Sequence, residues 1–312
     1  MSKIITITFN PAIDKSTTVP ALIPEKKLRC SEPLYEPGGG GINVARAIKK
    51  LGGKPTAVYM AGGYTGKAFT ELLNKEGIDS ILAEIKDNTR ENLVVYEIST
   101  NQQYRFGMPG PSILEQEWKQ CLTQIENLKE ADFLIVSGAL PPGIPNTVYS
   151  EIASIAGRMN AKLIVDTSGE ALMEAVQAGL YLIKPNLAEL SSLLGKEDLN
   201  VERVDEAAKE VINKYKCEVV VVSMGAAGAM LVTGNLALHI MPPAVKIKST
   251  VGAGDSMVAG IVLSLAQYKS IEEAVQYGVA CGTAATLNAG TELCRKEDAD
   301  HLFKLIQENR IK

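Results

Sequence analysis

The sequence predicts a doubly wound α/β fold, and three observations carry that prediction. Segments such as Phe133–Val136 and Val219–Val222 are continuously apolar, the pattern of strands buried on both faces of a parallel sheet. From residue 114 onward such segments alternate with stretches of helical period, as βαβ units do. The chain has 312 residues, 46% of them apolar and 22% charged, enough for a full core around one large sheet.

The elements follow in order. Residues 3–9 alternate and are β-branched, so they read as the first strand. Residues 15–36 are polar and broken by prolines, with strands near 16–19 and 27–35. Ile42, Val44, Ala45, Ile48 and Leu51 form a helical stripe over 42–51, straight after the run Gly38–Gly41. A strand near 56–60 and a helix near 66–76 come next. Residues 92–98 and 103–108 read as a hairpin around Thr100-Asn101-Gln102, with an alternation weak enough that one side faces solvent or a partner. Strands at 132–136, 162–165, 180–183 and 218–222 then alternate with helices near 114–128, 146–158, 169–178 and 201–214. The last of these helices carries Val204, Ala207, Ala208, Val211 and Ile212 on one stripe. A short hairpin at 228–232 and 236–240 precedes helices near 254–267, 271–287 and 297–309. The two polar clusters, 15–36 and 92–108, break the strand–helix rhythm and read as a separate small sheet. No internal repeat or Pro/Gly linker divides the chain, so residues 1–312 read as one domain.

Composition narrows the function. A net charge of −4 with no basic block argues against nucleic acid. The five cysteines are widely spaced and form no C-x-x-C, the usage of reduced thiols in a cytoplasmic protein. Two histidines, His239 and His301, give little support to zinc or serine–histidine chemistry. The N-terminus runs directly into a strand pattern, and no apolar run reaches membrane-spanning length.

Residues 249–260, Ser-Thr-Val-Gly-Ala-Gly-Asp-Ser-Met-Val-Ala-Gly, point to a reaction. Gly252 and Gly254 let successive backbone N–H groups converge, and the helix that begins there adds its positive dipole end and unpaired donors. An anion held by this turn lies beside the Asp255 carboxylate. That pairing suits attack of a hydroxyl on a phosphoryl group, with the donors holding phosphate charge and the carboxylate accepting the hydroxyl proton. Taken alone, the same pattern also serves as a plain loop and N-cap.

Other segments bear on the choice. Gly38–Gly41 and Asn43 precede the first helix, either as a flexible loop or as a place of close ligand approach. Neither a dinucleotide-binding G-x-G-x-x-G nor a P-loop pattern is present. Asp14 follows the first strand, on the side where α/β sheets bind ligands; it either caps a local turn or accepts hydrogen bonds from sugar hydroxyls. In Lys184-Pro185-Asn186-Leu187-Ala188-Glu189, Asn186 and Glu189 have capping-box spacing. The functional alternative puts Glu189 beside a hydrated Mg2+ and Lys184 near nucleotide phosphates. Ser223-Met224-Gly225-Ala226-Ala227-Gly228 is a turn before a hairpin or part of a nucleotide-binding wall. Lys27, Arg29 and Arg105 lie within the two polar clusters and Arg90 just before the second, as solvated charges or as a set suited to a second phosphate.

Together these segments resemble the PfkB family of carbohydrate kinases, which share the ribokinase-like fold. The family's N-terminal signature is similar to Gly38–Asn43 with Val44-Ala45-Arg46, its C-terminal signature to Thr250–Met257, and its Asn-x-x-Glu motif to Asn186 and Glu189. The order agrees along essentially the whole chain. The resemblance implies a three-layer αβα kinase domain with a mostly parallel central sheet. A small β lid, formed from about 15–36 and 92–108, would cover the sugar and pair with its copy in a homodimer. It implies Asp255 as catalytic base and Gly252, Ala253 and Gly254 as the anion hole. Asp14, Gly38, Gly39 and Asn43 would hold the sugar, with Lys27, Arg90 and Arg105 toward its phosphate. Lys184, Asn186, Ser223, Gly225, Gly228 and Asn288 would face ATP, with Glu189 organising Mg2+ through water. A monovalent cation such as K+ would be held by carbonyls around Ser249, Val251, Ala285, Asn288 and Gly290.

Within the family the likeness is greatest to the minor 6-phosphofructokinase branch, on Pro24–Cys30, Glu36–Val44, Tyr104-Arg105-Phe106, Ser249–Met257 and Ala284–Asn288. Tagatose-6-phosphate and fructose-1-phosphate kinases usually read Gly-Gly-Lys-Gly in the glycine loop, and Gly40 stands where that lysine would be. The implied reaction is ATP plus fructose 6-phosphate to fructose 1,6-bisphosphate plus ADP. The alternatives are the same chemistry as a tagatose-6-phosphate kinase or 1-phosphofructokinase, and a non-catalytic sugar-phosphate sensor on the same scaffold. One departure is Ala139, where that branch often carries serine; it shifts the phosphate contact toward Arg90 and Lys27.

Overall fold

A computed structural model describes residues 2–196, 199 and 201–310 of the chain. In order, the elements are β1 (Ile4–Thr8), β2 (Ala12–Val19), β3 (Leu34–Gly38), α1 (Gly40–Lys50), β4 (Pro55–Gly62), α2 (Gly63–Lys75), β5 (Asp79–Ile85), β6 (Arg90–Glu97), β7 (Gln102–Phe106) and α3 (Glu115–Glu126). They continue with β8 (Phe133–Ser137), α4 (Val148–Met159), β9 (Lys162–Asp166), α5 (Gly169–Ala178), β10 (Leu180–Ile183), α6 (Leu187–Leu194), α7 (Val204–Lys214), β11 (Cys217–Ser223), β12 (Ala229–Val232), β13 (Ala237–Ile240), α8 (Ala253–Ala266), α9 (Ile271–Thr286) and α10 (Lys296–Arg310).

Nine strands form the central sheet, in the order β13-β12-β11-β10-β9-β8-β1-β4-β5. All pairings from β11 to β5 are parallel; β12 and β13 extend one edge as an antiparallel hairpin. Every residue of β1 and β8 is buried, because helices cover both faces. Alternate residues serve opposite layers, as the pleat requires. Ile5, Leu134, Val136, Val220 and Val222 pack with α3–α7, while Ile4, Phe133, Ile135, Val219 and Val221 pack with α1, α8, α9 and α10. Each such buried Ile, Val or Leu stabilises the fold by about 1.5–3 kcal/mol. The three-layer αβα arrangement expected from the sequence is present.

The second sheet has four strands, in the order β3-β2-β6-β7. Its central pair, β2 and β6, is parallel, and the flanking pairs are antiparallel. These strands come from the two polar clusters, with differences at their ends. The strand expected over 27–35 begins only at Leu34. Residues 20–33 are irregular instead, since Pro20, Pro24 and Pro33 supply no N–H to a ladder. Strand β2 begins at Ala12, so Asp14 lies within it rather than in a turn. Strand β5 has no counterpart in the sequence reading, because Asp79, Ser80 and Glu84 interrupt its apolar pattern at an exposed sheet edge. No helix among the described residues is long and apolar enough to cross a membrane.

Candidate active site

The parallel strands end on a common side of the sheet, where α/β folds place ligands. Thr8, Ser137, Asp166 and Ile183 close β1, β8, β9 and β10 there. Helix α8 starts at the same place. Its N-cap, Gly252, takes a left-handed φ of 70°, and no side chain caps the helix. The Gly254 and Asp255 amides therefore remain as donors for an anion, and Ala253 N makes only a long 3.5 Å bond to the Thr250 carbonyl.

Asp255 sits in that first turn. Asn43 of α1 donates from Nδ2 to Asp255 Oδ2 at 3.0 Å. Burial raises the Asp255 carboxyl to about 7, with the Asp166 charge adding to the rise; the Asn43 hydrogen bond and Lys184 oppose it. Although protein atoms crowd the group, the residue retains partial solvent access, as a base facing a cleft must. A carboxyl that titrates near neutrality in such a place can take a proton from a substrate hydroxyl.

The four-glycine run is explained first by the packing of the chain on itself. A Cβ at Gly38 would fall 2.0 Å from Asp14 Oδ2, and one at Gly40 would fall 2.4 Å from Ser137 Oγ and 2.6 Å from the Gly138 nitrogen. Gly39, the N-cap of α1, adopts φ 110°, which side chains rarely tolerate. Tight packing here brings Asp14, Ser137 and the start of α1 together. Asp14 accepts a hydrogen bond from Asn92 Nδ2 at 2.9 Å. Its pKa is raised, chiefly by burial, against the lowering influence of Asn92, Arg90 and Arg46.

Arg90 opens β6 and reaches back toward β1. Its Nη2 donates to the Asn10 carbonyl at 3.0 Å and its Nη1 to the Met108 carbonyl at 3.2 Å. Its Nε is buried without a partner, as is Asn10 Oδ1. Burial lowers the Arg90 pKa while the Asp14 charge raises it. Lys27 and Arg29 lie exposed in the irregular segment before β3, and Arg105 is exposed on β7. Arg105 lies opposite Val94 of β6, the strand that Arg90 opens, and Lys27 lies outside both sheets. Ala139 is exposed beside Gly138.

On the other side of Asp255, Lys184 follows β10 and is 7% exposed. Its Nζ pairs with Asp166 Oδ1 at 3.3 Å, and a Cβ on Gly254 would lie 3.3 Å from that Nζ. Burial alone would lower the Lys184 pKa; the charges of Asp166, Asp255 and Glu189 outweigh it and raise it. Asp166 was missed in the sequence. The available signal was an acidic residue ending an apolar strand, in Leu163-Ile164-Val165-Asp166.

Asn186 and Glu189 form the full capping box of α6: Glu189 N donates to Asn186 Oδ1, and Asn186 N donates to Glu189 Oε2, both at 2.9 Å. Ser223 N donates to the Pro185 carbonyl at 2.8 Å, and its Oγ donates to the same atom at 3.4 Å, tying the ends of β10 and β11. Gly225 opens a short turn, with free space where a Cβ would be. Gly228 is a glycine for a different reason: a Cβ there would fall 2.0 Å from the Ile240 carbonyl oxygen. The packing of the hairpin by itself requires glycine there.

The expected cation positions also converge. Ser249 Oγ donates to the Gly290 carbonyl at 2.8 Å, and Val251 N donates to Ser249 Oγ at 3.2 Å. Lys248 N docks on the Thr286 carbonyl at 2.8 Å, and Asn288 N on that of Ala285 at 3.2 Å. Asn288 Nδ2 donates to the Leu293 carbonyl at 3.0 Å, so its side chain holds the loop after α9. Among the described residues no group of three or more His, Cys, Asp or Glu side chains is arranged to hold a metal. A groove of about 900 Å³ between α2 and β5 has none of the candidate residues in its wall; the site rests on its side-chain chemistry.

Comparison with known proteins agrees with this geometry. The model of a family described as pfkB family carbohydrate kinase matches residues 5–298. The chain is 45% identical over 304 residues to the ATP-dependent 6-phosphofructokinase isozyme 2 of Escherichia coli, covering 97% of this chain and 98% of that protein. It is 32% identical to the 1-phosphofructokinase of Bacillus subtilis, covering 99% of this chain and all (100%) of that protein. The crystal structure of phosphofructokinase-2 from Escherichia coli in complex with fructose-6-phosphate is similar to it with a TM-score of 0.93 and 43% identity, covering 98% of this chain and 100% of that one.

Proposed function

The chain belongs to the pfkB family of carbohydrate kinases, and from that membership we propose that it transfers the γ-phosphoryl group of ATP to the C1 hydroxyl of fructose 6-phosphate. The products are fructose 1,6-bisphosphate and ADP. The observation that carries the reading is Asp255, a carboxyl poised near pH 7 in the first turn of an uncapped helix.

In this reading Asp255 accepts the C1 hydroxyl proton as the bond to phosphorus forms. Asn43 holds the carboxylate in one orientation. The amides of Gly252, Ala253 and Gly254 receive the charge on the transferring oxygens, fixed in place before the reaction. Lys184, held by Asp166, meets the ATP phosphates as a compact cation. Asn186, Ser223, Gly225 and Asn288 border the nucleotide. Mg2+ keeps several waters and takes one or two carboxylates with substrate phosphates, so a site without a preformed protein cage fits it. Glu189 would hold a water of that ion through Oε1, the oxygen its capping box leaves over. When bound, Mg2+ supplies neutralisation of phosphate charge. The carbonyls around Ser249, Val251, Ala285, Asn288 and Gly290 are the proposed seat of K+.

On the sugar side, Asp14, Gly38, Gly39 and Asn43 face the hydroxyls, and Arg90, with an unpartnered Nε, faces the 6-phosphate. Lys27 and Arg105 would join it when the four-stranded sheet closes as a lid. Tyr35 and Phe106 of that sheet, exposed at 42% and 45%, lie in one cross-strand row with Lys15 and Leu93, a partly apolar face that suits pairing of two lids in a homodimer.

A coupled ADP-release assay across fructose 6-phosphate, tagatose 6-phosphate and fructose 1-phosphate tests the assignment. The highest kcat/KM is expected with fructose 6-phosphate. A clear preference for fructose 1-phosphate would move the chain to the branch of the Bacillus subtilis relative. Sugar-phosphate binding with no ADP release would make it a sensor.

A further inference from the structure

Arg46 of α1 is 3% exposed and fully engaged. Its Nε donates to both carboxylate oxygens of Glu76, at 2.7 and 2.9 Å. Its Nη1 donates to the Pro37 carbonyl at 2.9 Å, and its Nη2 to Glu36 Oε1 at 2.8 Å. Glu36 thus spends one carboxylate oxygen on α1. Its other oxygen, Oε2, accepts a hydrogen bond from Thr291 Oγ1.

The placement of these residues gives that bond its interest. Glu36 lies on β3 directly opposite Asp14 on β2, so it belongs to the strand pair that faces the sugar. Thr291 is buried and follows Gly290, whose carbonyl takes Ser249 Oγ. It therefore belongs to the loop that closes the nucleotide and cation side. Arg46 lies one helical turn after Asn43, the partner of Asp255. Glu36 is the point at which the small sheet, the helix that orients the base and the loop after α9 meet. A buried ion cluster is weak evidence for stability, and what this one does is tie α1 to β3 and to the end of α2 through Arg46.

We propose that Glu36 and Thr291 are positioning residues that couple the sugar side of the site to its nucleotide side. The proposal rests on the kinase reading above. A sugar phosphate that settles against Asp14 aligns β3, and the Glu36–Thr291 hydrogen bond passes that alignment to the loop at 287–295. Neither residue touches a reacting atom.

The test is a binding cycle on the full-length protein, with fructose 6-phosphate and a non-hydrolysable ATP analogue with Mg2+ as probes. Each is titrated alone and in the presence of the other, on wild type, Thr291→Val and Thr291→Ser. Thr291→Ala serves as a second truncation, and thermal unfolding confirms that each variant is folded. The wild type is expected to bind each ligand several-fold more tightly when the other is present. Thr291→Val and Thr291→Ala should lower that factor about fivefold or abolish it, with each single-ligand Kd within about twofold of wild type. Thr291→Ser, which keeps the hydroxyl, should restore the coupling. A wild type with no coupling, or truncations that retain it, would overturn the proposal while leaving the kinase reading intact. Loss of single-ligand affinity with the coupling factor unchanged would overturn it too, as a merely structural effect. A wild type that binds neither probe would instead overturn the kinase reading.

Discussion

Asn43 and Asp255 are 212 residues apart in sequence and 3.0 Å apart in space. Their hydrogen bond joins the glycine loop at the start of α1 to the uncapped start of α8. The bond also tunes the base: it pulls the Asp255 carboxyl down against burial and the Asp166 charge, which push it up to about 7. Activity should therefore depend on pH through this group. For Asp255 the deprotonated form is the competent one, so kcat/KM should rise with pH to a plateau above about 7. Asn43→Leu should move the midpoint of that rise upward, because the interaction that favours the charged form is gone. A pH–rate profile of both proteins measures this; identical midpoints would remove Asn43 from the tuning of the base.

Asp255→Asn should leave the fold intact and lower kcat by about a hundredfold or more, the scale of general-base loss. It should also change the pH dependence of stability, with a sign that follows from the raised pKa. The unfolded carboxyl titrates near the ordinary aspartate value of 3.8 and the folded one near 7. The folded wild type therefore binds the extra proton between these values, and it loses stability relative to the variant as pH rises through that window. The difference should be small at pH 4, grow to about pH 7 and stay level above it. Denaturant unfolding at several pH values gives the curve; a flat difference would mean the carboxyl is not buried as described.

Arg90→Ala should raise the KM for fructose 6-phosphate at least tenfold, with little change in the KM for ATP, since a charge-assisted phosphate contact is worth about 1.5–3 kcal/mol. Arg90→Lys should recover only part of the loss, because Nη1 and Nη2 are both committed to backbone carbonyls and an ammonium cannot reproduce that fork. Steady-state kinetics with each substrate varied in turn separates the two effects. Equal rises in both KM values would mean that Arg90 supports the sheet rather than the phosphate.

The parts of the site legible in the sequence are those made by neighbours in the chain. Asn186 and Glu189 form a capping box three residues apart, and Gly252 through Asp255 form one turn, so spacing marks both segments while the family resemblance supplies their expected roles. Asp166 shows in the sequence only as an acid ending an apolar strand; its role comes from the parallel pairing of β9 with β10, which sets it beside Lys184. The Glu36–Thr291 contact spans 255 positions, and no local pattern encodes it. In the fold, strands buried on both faces lie within one or two residues of the bounds the sequence predicts. The edge strand β5 is not predicted, since half-exposed positions weaken the apolar signal. The glycine loop lay between these cases: its pattern was plain, but the reason for it, a backbone pressed against Asp14 and Ser137, required the folded chain.

That packing yields a prediction about specificity. The missing lysine at Gly40 is a steric matter as well as a chemical one, because any Cβ there would meet Ser137 Oγ at 2.4 Å and the Gly138 nitrogen at 2.6 Å. Ser137 ends a fully buried strand, so the backbone cannot yield freely. Gly40→Ala should cost about 1–3 kcal/mol by overpacking. Gly40→Lys should cost no less, since it adds the same Cβ. It should therefore fail to turn the enzyme toward fructose 1-phosphate, and should lower kcat/KM for all three ketohexose phosphates together. Urea unfolding of both variants, with parallel kinetics on the three sugars, provides the check. A stable Gly40→Lys protein with a gain on fructose 1-phosphate would show that the Ser137–Gly138 turn moves aside and that this one position sets the choice of substrate.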